Sequence, residues 1–523
     1  MIELKTYAGL IRNHKELADE LGIDIDGLSR EQREEKIVVA AYEKWGRDMG
    51  SHINGQFALA LFDAETGETF ATRDILGAEL FFYYETADGN LLYGTEIKDL
   101  FDQPGFKREL NEDMVQFYLA FTYMPGEETL FKGVWKLEPG GWLTHGTNGL
   151  TLGRYWELSF EPDESKSLDD WADEITAAME ASLDCVIDAD QPPDSFLSVG
   201  VDSSYIMAKS RARTGVCAAY ENQEASEEDQ ARATAEYLGR DFEGVTVAPD
   251  EFLANLDEFL EAFEMPTADM AALSLYSAAK RMVGKSEVCF SGEGADEFFA
   301  GYSVYRNTTR LKLTPGAVYC GTTYIMNAKE QARFVKNFKP NRDTKAFMRE
   351  RGAKGKQYDM LGWMLYTDLR SYFEGSILYN STKISRGTGL DIRMPYCDLR
   401  IFDIARRMPS RFKVTDEGNK LALRRAAVRV LPQEVAYRKK MGFPVPVRAW
   451  MATPEYQAQI EAAFTSDAAK KFFNETELAA LLAAFKGEKP GVHAYWYKRH
   501  EALLWRYVWT IFTFIRWYQL FFE

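Results

Sequence analysis

The sequence predicts an α/β fold in which helices cover a parallel sheet, with a region of short strands before it. Two observations carry this prediction. After residue 168, apolar runs of strand length alternate with helical stretches, which is typical of a parallel sheet. Within that alternation, two apolar runs end in turns of small and acidic residues, at 196–204 and 290–297. Ligands of such sheets bind where strands end, so we expect the two turns to converge.

The first predicted domain spans residues 1–160. Short apolar runs separated by turn signals predict β-strands, and one amphipathic stretch predicts a helix. The predicted strands are 57–62, 80–84 and 90–94, and the predicted helix is 30–44. Residues 161–167, which are rich in proline, serine and acidic side chains, predict a linker.

The second predicted domain spans residues 168–523. A helix at 168–187 precedes a strand, loop and helix at 195–210. Further strands are predicted at 216–220, 244–247 and 287–290, and further helices at 226–238, 251–263 and 274–283. From about residue 303 onward the pattern is mostly helical.

The turn at 198–204 is typical of a loop that holds phosphate. It carries small and hydroxyl residues and opens a helix, so backbone N–H groups, serine hydroxyls and the helix dipole can bind an anion. Asp202 on this turn is suited to hold Mg²⁺ against the phosphates. The Gly-Lys-Ser/Thr ending of a Walker A loop is absent. An ordinary strand–helix turn is the alternative interpretation.

The turn at 291–297 concentrates negative charge in Glu293, Asp296 and Glu297. Its small residues let the backbone approach a ligand closely. Unpaired carboxylates rarely crowd together at a strand end without a cation or a catalytic task. A solvated acidic turn is the alternative, and the phosphate-type loop in the same chain disfavours it.

These motifs resemble those of one family. SVGVDSS at 198–204 resembles the S-G-G-x-D-S-S loop of the class B asparagine synthetases and their relatives, and SGEGADEFFAGY at 291–302 resembles their S-G-E-G-A-D-E-L-F-G-G-Y signature. Residues 389–398 are similar to the family's S-L-E-A-R-x-P-F-L-D segment. Residues 419–424, 431–432 and 438–443 are similar to its K-x-x-L-R, L-P and R-x-K-x-G-F elements. The second domain is therefore identified as a member of this family.

The resemblance implies a PP-loop synthetase domain related to the adenine-nucleotide α-hydrolases, with ATP and Mg²⁺ as cofactors. It implies that Asp202 and Asp296 hold the metal and that Glu293, Lys440 and Asp391 are catalytic. A solvated surface lysine is the alternative for Lys440, and Asp391 is one methylene shorter than the family's glutamate. Arg438 is expected either to contact phosphate or to pair with an acid. The residues expected to bind ATP or pyrophosphate are Leu197, Ser198, Gly200, Asp202, Ser203, Ser204, Ser291, Gly292 and Arg438.

Residues 9–17, 54–63, 73–74 with 77, 95–98, and 137–141 with 155–156 resemble the family's α+β glutaminase domain of the N-terminal-nucleophile type. The family's opening segment, with its nucleophilic cysteine, has no counterpart here, and the first cysteine is Cys185. Residues 8–10 read Ala-Gly-Leu where the family has Asn-Gly-Glu, and Glu34 falls near its glutamine-binding aspartate. We therefore expect a truncated, inactive glutaminase-like domain. A true start further upstream is the alternative.

The expected function is ATP-dependent amide-bond synthesis that activates a carboxylate as an acyl-adenylate and transfers it to ammonia or an amine, without glutaminase activity. The substrates expected are small-molecule or peptide carboxylates and amines. Two alternatives remain. One is a peptide or small-molecule cyclase or amidotransferase of a biosynthetic cluster, similar to the lasso-peptide cyclases. The other is a degenerate, non-catalytic binding subunit.

The composition agrees with a globular enzyme, because 46% of residues are hydrophobic and 27% are charged. A formal net charge of −18 argues against nucleic acid as a partner. The five cysteines form no C-x-x-C pair, and the first residues do not resemble a signal peptide, so we expect a cytoplasmic protein.

The last twenty or so residues (503–522) are strongly aromatic but are interrupted by Arg506 and Arg516, so no apolar run reaches the about 18 residues of a transmembrane helix. We expect an amphipathic helix packed on the second domain. A docking surface for a homodimer, another partner or a membrane surface is the alternative.

Overall fold

The computed structural model describes residues 1–185, 192–220, 227–309, 316–439 and 445–523. Its N-terminal part contains two antiparallel sheets, one of five strands in the order β1-β2-β3-β7-β8 and one of three strands in the order β5-β4-β6. The strands are β1 Ile2–Ile11, β2 Gly55–Asp63, β3 Glu68–Arg73, β4 Phe82–Glu85, β5 Leu91–Gly94, β6 Trp135–Lys136, β7 Gly141–Gly146 and β8 Gly149–Arg154. The helices are α1 His14–Leu21, α2 Arg30–Trp45 and α3 Val115–Phe121.

Strand β2 shows why this part of the sequence contains a long apolar run. Its odd-numbered residues Phe57 and Leu59 pack under the two helices α1 and α2, while Ala58 and Ala60 pack toward Phe81 on the other side. The strand is therefore buried on both faces, and period-two alternation is lost. The predicted helix 30–44 is confirmed as α2, which begins at a capping box in which the Ser29 side chain accepts from Gln32 N.

The C-terminal part is built on a parallel sheet in the order β11-β10-β9-β12-β13, which confirms the predicted α/β class. Its strands are β9 Asp194–Phe196, β10 Thr214–Ala219, β11 Asp241–Thr246, β12 Val288–Phe290 and β13 Asp391–Arg393. The chain builds outward from β9 to β11 and then returns to place β12 on the other side of β9. This reversal is a topological switch point, where ligands of open α/β sheets bind.

Helices surround this sheet and form most of the chain after β12. Those before β13 are α4 Leu168–Cys185, α5 Val201–Lys209, α6 Glu227–Tyr237, α7 Pro249–Ala254, α8 Leu256–Phe263, α9 Met270–Met282, α10 Ala295–Phe299, α11 Ala328–Phe334, α12 Thr344–Arg351, α13 Met360–Asp368 and α14 Tyr379–Thr388. A π-helix, Leu369–Leu378, joins α13 to α14. Those after β13 are α15 Leu399–Arg407, α16 Leu421–Ala427, α17 Gln433–Ala436, α18 Val447–Trp450, α19 Pro454–Thr465, α20 Asp467–Phe472, α21 Glu475–Phe485, α22 Ala494–Arg499 and α23 Leu504–Phe522.

The aromatic C-terminal segment is the helix α23, and it lies within the core. The indole N–H of Trp517 donates to the Glu264 carbonyl oxygen over 2.8 Å, and Arg516 pairs with Asp257. Most of its large side chains are buried against α8, α19 and α21. The interpretation as a packed helix is therefore confirmed, and the docking alternative loses the exposed apolar face that it requires. No helix in the described segments is long and apolar enough to span a membrane.

Buried charges join the N-terminal part to α14. Lys383 is fully buried and pairs with both Glu96 and Glu264. One turn further along α14, Arg386 pairs with Glu96 over 2.5 Å and with Glu79. Glu79 and Glu96 belong to the N-terminal part, so these ion pairs link it to α14. Because the pairs are buried, removing one partner would leave a charge uncompensated. This arrangement fixes α14 against residues 1–160.

A further buried acid, Asp368, lies at the end of α13. Its Oδ2 accepts hydrogen bonds from the hydroxyl groups of Tyr305 over 2.5 Å and Tyr319 over 2.7 Å. Its Oδ1 accepts no hydrogen bond from the described residues. Burial raises the pKa of Asp368 from its ordinary value of 3.8 to about 7, although the two tyrosines oppose the shift.

We expect Asp368 to make stability depend on pH. Its raised pKa means that the folded state holds the proton more tightly than the unfolded chain, so stability is lost as pH rises from about 4 to about 7. Urea unfolding of the wild type should therefore show a loss of about 3 kcal/mol between pH 5 and pH 8 that Asp368→Asn does not show. If the free energy of unfolding varied with pH in the same way in both proteins, Asp368 would not be the source of the pH dependence.

Candidate active site

The two turns singled out in the sequence follow the adjacent strands β9 and β12, and the structure brings them together. A Cβ added to Gly292 in the second turn would lie 3.5 Å from Asp202 Cβ in the first. Both turns line one cavity of about 900 Å³ at the switch point of the sheet. The predicted convergence is confirmed, and it follows from the carboxyl ends of neighbouring parallel strands sharing one edge of the sheet.

The first turn is organised by its own hydroxyl groups. Ser198 N donates to Ser203 Oγ over 3.1 Å, Gly200 N donates to Ser198 Oγ over 3.1 Å, and Ser204 Oγ donates to the Gly200 carbonyl oxygen over 2.8 Å. Helix α5 begins after Gly200, which has no capping side chain. The N-terminal N–H groups of α5 therefore lack a side-chain acceptor at their cap, which is the arrangement that binds phosphate.

The second turn places three acidic residues around the start of the short helix α10. Gly294 caps this helix with φ of 95°, a left-handed conformation that favours glycine. Glu293 accepts a hydrogen bond from Ser291 Oγ, and Glu297 accepts one from the Tyr302 hydroxyl. Burial raises the pKa of Glu293; the charges of Asp296 and Asp202 add to the rise, while the Ser291 hydrogen bond lowers it. A carboxylate whose pKa is raised is a better proton acceptor than an ordinary one.

Lys420 joins the two turns and was assigned no role from the sequence. Its ammonium group pairs with Asp202 Oδ2 and lies 2.6 Å from Asp296 Oδ1. Its side chain is only 2% exposed. Burial lowers the pKa of Lys420, but the two carboxylates outweigh it and raise the pKa above its ordinary value. The pairing joins residues 218 positions apart. The sign of this lysine in the sequence is its place in the 419–424 segment, which resembles the family's K-x-x-L-R element.

Arg424 holds the segment that carries Lys420. Its guanidinium group donates to the Asn419 carbonyl oxygen over 2.8 Å and to Asn419 Oδ1 over 3.1 Å. It also donates to the carbonyl oxygens of Ala436 over 2.6 Å and Arg438 over 3.1 Å. Arg424 therefore ties the 419–420 segment to the 436–438 segment, which line the same wall of the cavity.

The structure places most of the predicted ATP-binding residues in this cavity. The lining residues among them are Leu197, Ser198, Gly200, Asp202, Ser203, Ser291, Gly292 and Arg438. Ser204 is buried behind the turn, where it supports Gly200. Arg438 donates to the Val199 carbonyl oxygen over 3.5 Å, so it lies beside the first turn. Lys440 falls outside the described residues, and its role stays a prediction.

Asp391 is the predicted site residue that the structure does not bring into the cluster. It begins β13 and pairs with β12 at Val288, whereas the second turn follows the opposite end of β12. Its carboxylate pairs with Arg393 over 2.8 Å and with Arg30 over 3.5 Å, in a separate cavity of about 310 Å³ beside Gly9 and Leu10. The structure therefore does not bring Asp391 to the two turns, because it lies at the other end of its strand, and this position disfavours the catalytic role that the resemblance implies.

Glu34 is buried and accepts a hydrogen bond from Ile11 N over 2.8 Å. Burial raises the pKa of Glu34, and the hydrogen bond from Ile11 opposes the rise. A carboxylate used in this way supports the backbone where β1 ends.

The large cavity is also lined by residues that the sequence did not single out. Asp269 caps helix α9 and accepts from Asn380 Nδ2 over 2.9 Å. The other amide atom of that side chain, Asn380 Oδ1, is buried and accepts no hydrogen bond from the described residues. Tyr372 and Ser381 also line the cavity. An acceptor atom of this kind suits a substrate N–H group.

Comparisons with known proteins agree with this geometry. Residues 174–519 match the asparagine synthase family, and residues 4–156 match the glutamine amidotransferase domain family. A Mycobacterium tuberculosis (strain H37Rv) protein, provisionally named as a glutamine-hydrolysing asparagine synthetase, is 28% identical over 99% of this chain and 84% of its own length. Glutamine-hydrolysing asparagine synthetase 1 of Bacillus subtilis (strain 168) is 28% identical over 85% of this chain and 76% of its own length. The chain belongs to the asparagine synthase family, and it is an ATP-dependent carbon–nitrogen ligase of that family.

Proposed function

We propose that the protein activates a carboxylate as an acyl-adenylate and transfers the acyl group to ammonia or an amine. The observation that carries this proposal is the meeting of the Ser198–Ser204 turn with Glu293 and Asp296 in one cavity at the switch point of the sheet. One turn offers N–H groups to phosphate, and the other offers carboxylates to a cation and to a proton. Both half-reactions of an amide synthetase need such groups side by side.

In the first half-reaction, a carboxylate oxygen of the substrate attacks the α-phosphorus of ATP. A bond forms from that oxygen to phosphorus, the bond from phosphorus to the bridging oxygen breaks, and pyrophosphate leaves. In this proposal the N-terminus of α5 and the Ser198 and Ser203 hydroxyls, which lie together in the first turn, hold the departing pyrophosphate. In the second half-reaction, the amine attacks the acyl carbon, loses a proton and displaces AMP.

The site has oxygen ligands that fit Mg²⁺. Asp202 and Asp296 already share one cationic group, and Asp202 Oδ1 accepts no hydrogen bond from the described residues. Mg²⁺ is usually held by one or two carboxylates together with substrate phosphates, so these two residues would hold it here. When bound, the metal would neutralise charge that develops on the phosphates.

Glu293 is the proposed proton acceptor in the second half-reaction. Its raised pKa brings it toward the range in which a carboxylate can take a proton from an attacking amine. Lys440 is proposed to donate to the charged transition states, as the resemblance implies, and Arg438 to contact phosphate beside the first turn.

The proposal leaves the acid unnamed. The amine is free ammonia, a small-molecule amine or a peptide amine. The cytoplasmic location and a homodimer also stay predictions.

Adenylation is tested by exchange of labelled pyrophosphate into ATP. A panel of amino acids, small dicarboxylates and peptides with free carboxyl groups is supplied in turn, and at least one should support exchange. The same acid, with an amine added, should yield AMP and an amide. Formation of ADP and phosphate in place of AMP would contradict an adenylate route.

We propose further that residues 1–156 do not hydrolyse glutamine. The sequence contains no cysteine before Cys185, and Ala8-Gly9-Leu10 line the neighbouring cavity where the family has Asn-Gly-Glu. Amide hydrolysis of this type needs a thiolate or an activated hydroxyl group. The N-terminal part then serves as a scaffold for α14.

The protein should accordingly release no glutamate from glutamine above the rate of a buffer control, with or without ATP. Ammonia should support amide formation at least as well as glutamine when the preferred acid is present. A glutamate dehydrogenase assay measures the first quantity. Glutamate release that depends on the enzyme would contradict this part of the proposal.

A further inference from the structure

Lys420 occupies a position that the adenylation chemistry by itself does not explain. Its ammonium group lies between Asp202 and Asp296, the two carboxylates suited to a divalent cation. The three side chains are almost withdrawn from water, with exposed fractions of 2% for Lys420, 16% for Asp202 and 17% for Asp296. Two carboxylates so close together repel one another, and a cation between them stabilises the arrangement.

The backbone holds Lys420 there at a conformational cost. Its φ is 54° and its ψ is 36°, a left-handed conformation that is unfavourable for a residue with a Cβ atom. Asn419 donates through Nδ2 to the Gly301 carbonyl oxygen, and Arg424 in turn holds Asn419. The placement of the lysine is therefore determined by several contacts.

The packing around the ammonium group is close. A Cβ added to Gly301 would lie 1.7 Å from Asp296 Oδ1 and 2.1 Å from Lys420 Cε. Gly301 N also donates to the Asp296 carbonyl oxygen over 2.8 Å. The ammonium group contacts the facing oxygens of both carboxylates, so a metal that used those oxygens would first have to displace it.

We infer that Lys420 is a built-in counter-ion that excludes Mg²⁺ from Asp202 and Asp296 until nucleotide arrives. The phosphates of ATP give the ammonium group a second anionic partner, so it can turn toward them and release the carboxylate oxygens to the metal. Metal binding and nucleotide binding are then strongly coupled, and the two carboxylates bind metal only weakly by themselves. This inference rests on the proposed function only in assigning ATP and Mg²⁺ to this cavity.

The test measures binding of Mn²⁺, an ion that takes similar oxygen ligands, by electron paramagnetic resonance of the free ion in the absence of nucleotide. Lys420→Met keeps the apolar stem and removes the charge. We expect its affinity for Mn²⁺ alone to exceed that of the wild type at least about tenfold, because a cation in contact with both carboxylates is lost. Lys420→Arg, which retains the charge, should bind Mn²⁺ as weakly as the wild type.

Two further variants keep the result interpretable. Lys420→Gln has an amide that can still donate to Asp202, and it should show the same gain if Lys420→Met fails to fold. Lys439→Met removes one positive charge from an exposed lysine in the wall of the same cavity. Its affinity for Mn²⁺ should rise much less than that of Lys420→Met. If Lys439→Met gained as much affinity for Mn²⁺ as Lys420→Met, the effect would be one of general charge, and the inference would be overturned.

The inference would also be overturned if the folded Lys420→Met and Lys420→Gln variants bound Mn²⁺ alone no more tightly than the wild type. None of these measurements requires turnover or a carboxylate substrate. An enzyme that fails to adenylate any acid but shows the predicted gain would contradict the proposed function and leave the counter-ion role standing. An enzyme that adenylates an acid but shows no gain in Mn²⁺ affinity would contradict only the counter-ion role.

Discussion

Asp296→Asn should abolish exchange of labelled pyrophosphate into ATP, with a loss of at least about a thousandfold. Asp202→Asn should have the same effect. The amide keeps the shape of each carboxylate but removes the charge that would hold a metal against the phosphates, and preorganised charge is the largest contribution to catalysis of this type. The fold should survive, because Lys420 pairs with both aspartates and each variant leaves it one carboxylate partner.

Asp391→Asn is the matched comparison. The family resemblance implies a catalytic role for Asp391, whereas the structure pairs it with Arg393 and Arg30 outside the cavity that the two turns line. Exchange should therefore fall less than about tenfold, as expected for a residue that touches no reacting atom. Full exchange in Asp202→Asn and Asp296→Asn, or a complete loss in Asp391→Asn, would contradict the assignment of the site.

Glu293→Gln should separate the two half-reactions. Loss of a general base typically costs about 10²–10⁴ in rate, so amide formation should fall by that factor. ATP affinity and pyrophosphate exchange should be retained, since the first turn and both aspartates are unchanged. Isothermal titration gives the affinity, and single-turnover amide formation gives the rate.

The pH dependence gives an independent check on Glu293. Its raised pKa means that the wild type should lose amide formation as pH falls through that pKa, when the carboxylate becomes protonated. Glu293→Gln should lack this acidic limb. A variant with wild-type exchange, amide formation and pH profile would show that the glutamate is structural.

The convergence of the two turns was predictable because each places small residues, hydroxyls or carboxylates directly after a short apolar strand. That local signal also fixes which edge of the sheet they share, and Asp202, Glu293 and Asp296 do line one cavity. The position of Asp391 was not predictable in this way. Strand β13 has only three residues, and a motif match does not say which end of such a strand meets the ligand.

Lys420, Arg424 and Asn380 were missed as site residues for a different reason. The partners of Lys420 and Asn380 lie far away in the sequence, as the hydrogen bonds of Lys420 to Asp202 and of Asn380 to Asp269 show. Arg424 was missed although its partners Asn419, Ala436 and Arg438 lie nearby in the sequence. The left-handed backbone of Lys420 also leaves no sign in the sequence, because such a conformation is usually marked by glycine or asparagine.

Errors in the elements have local causes. The predicted helix 251–263 is two helices, α7 and α8, which meet at Asn255. Strand β11 begins at Asp241, three residues before the predicted start, because its first residues are partly exposed and mainly polar. Strands β1, β3, β7 and β8 were not predicted, since they carry glycine or polar residues that weaken a strand pattern.

The central claim is that the enzyme forms an acyl-adenylate, and the fate of a carboxylate oxygen tests it most directly. The acid found by pyrophosphate exchange is labelled with ¹⁸O in its carboxyl group and converted to amide with ATP and amine. Attack on the α-phosphorus followed by displacement of AMP leaves one substrate oxygen on phosphorus, so mass spectrometry should find one ¹⁸O atom in each AMP. AMP without label, or label in inorganic phosphate formed together with ADP, would contradict the account.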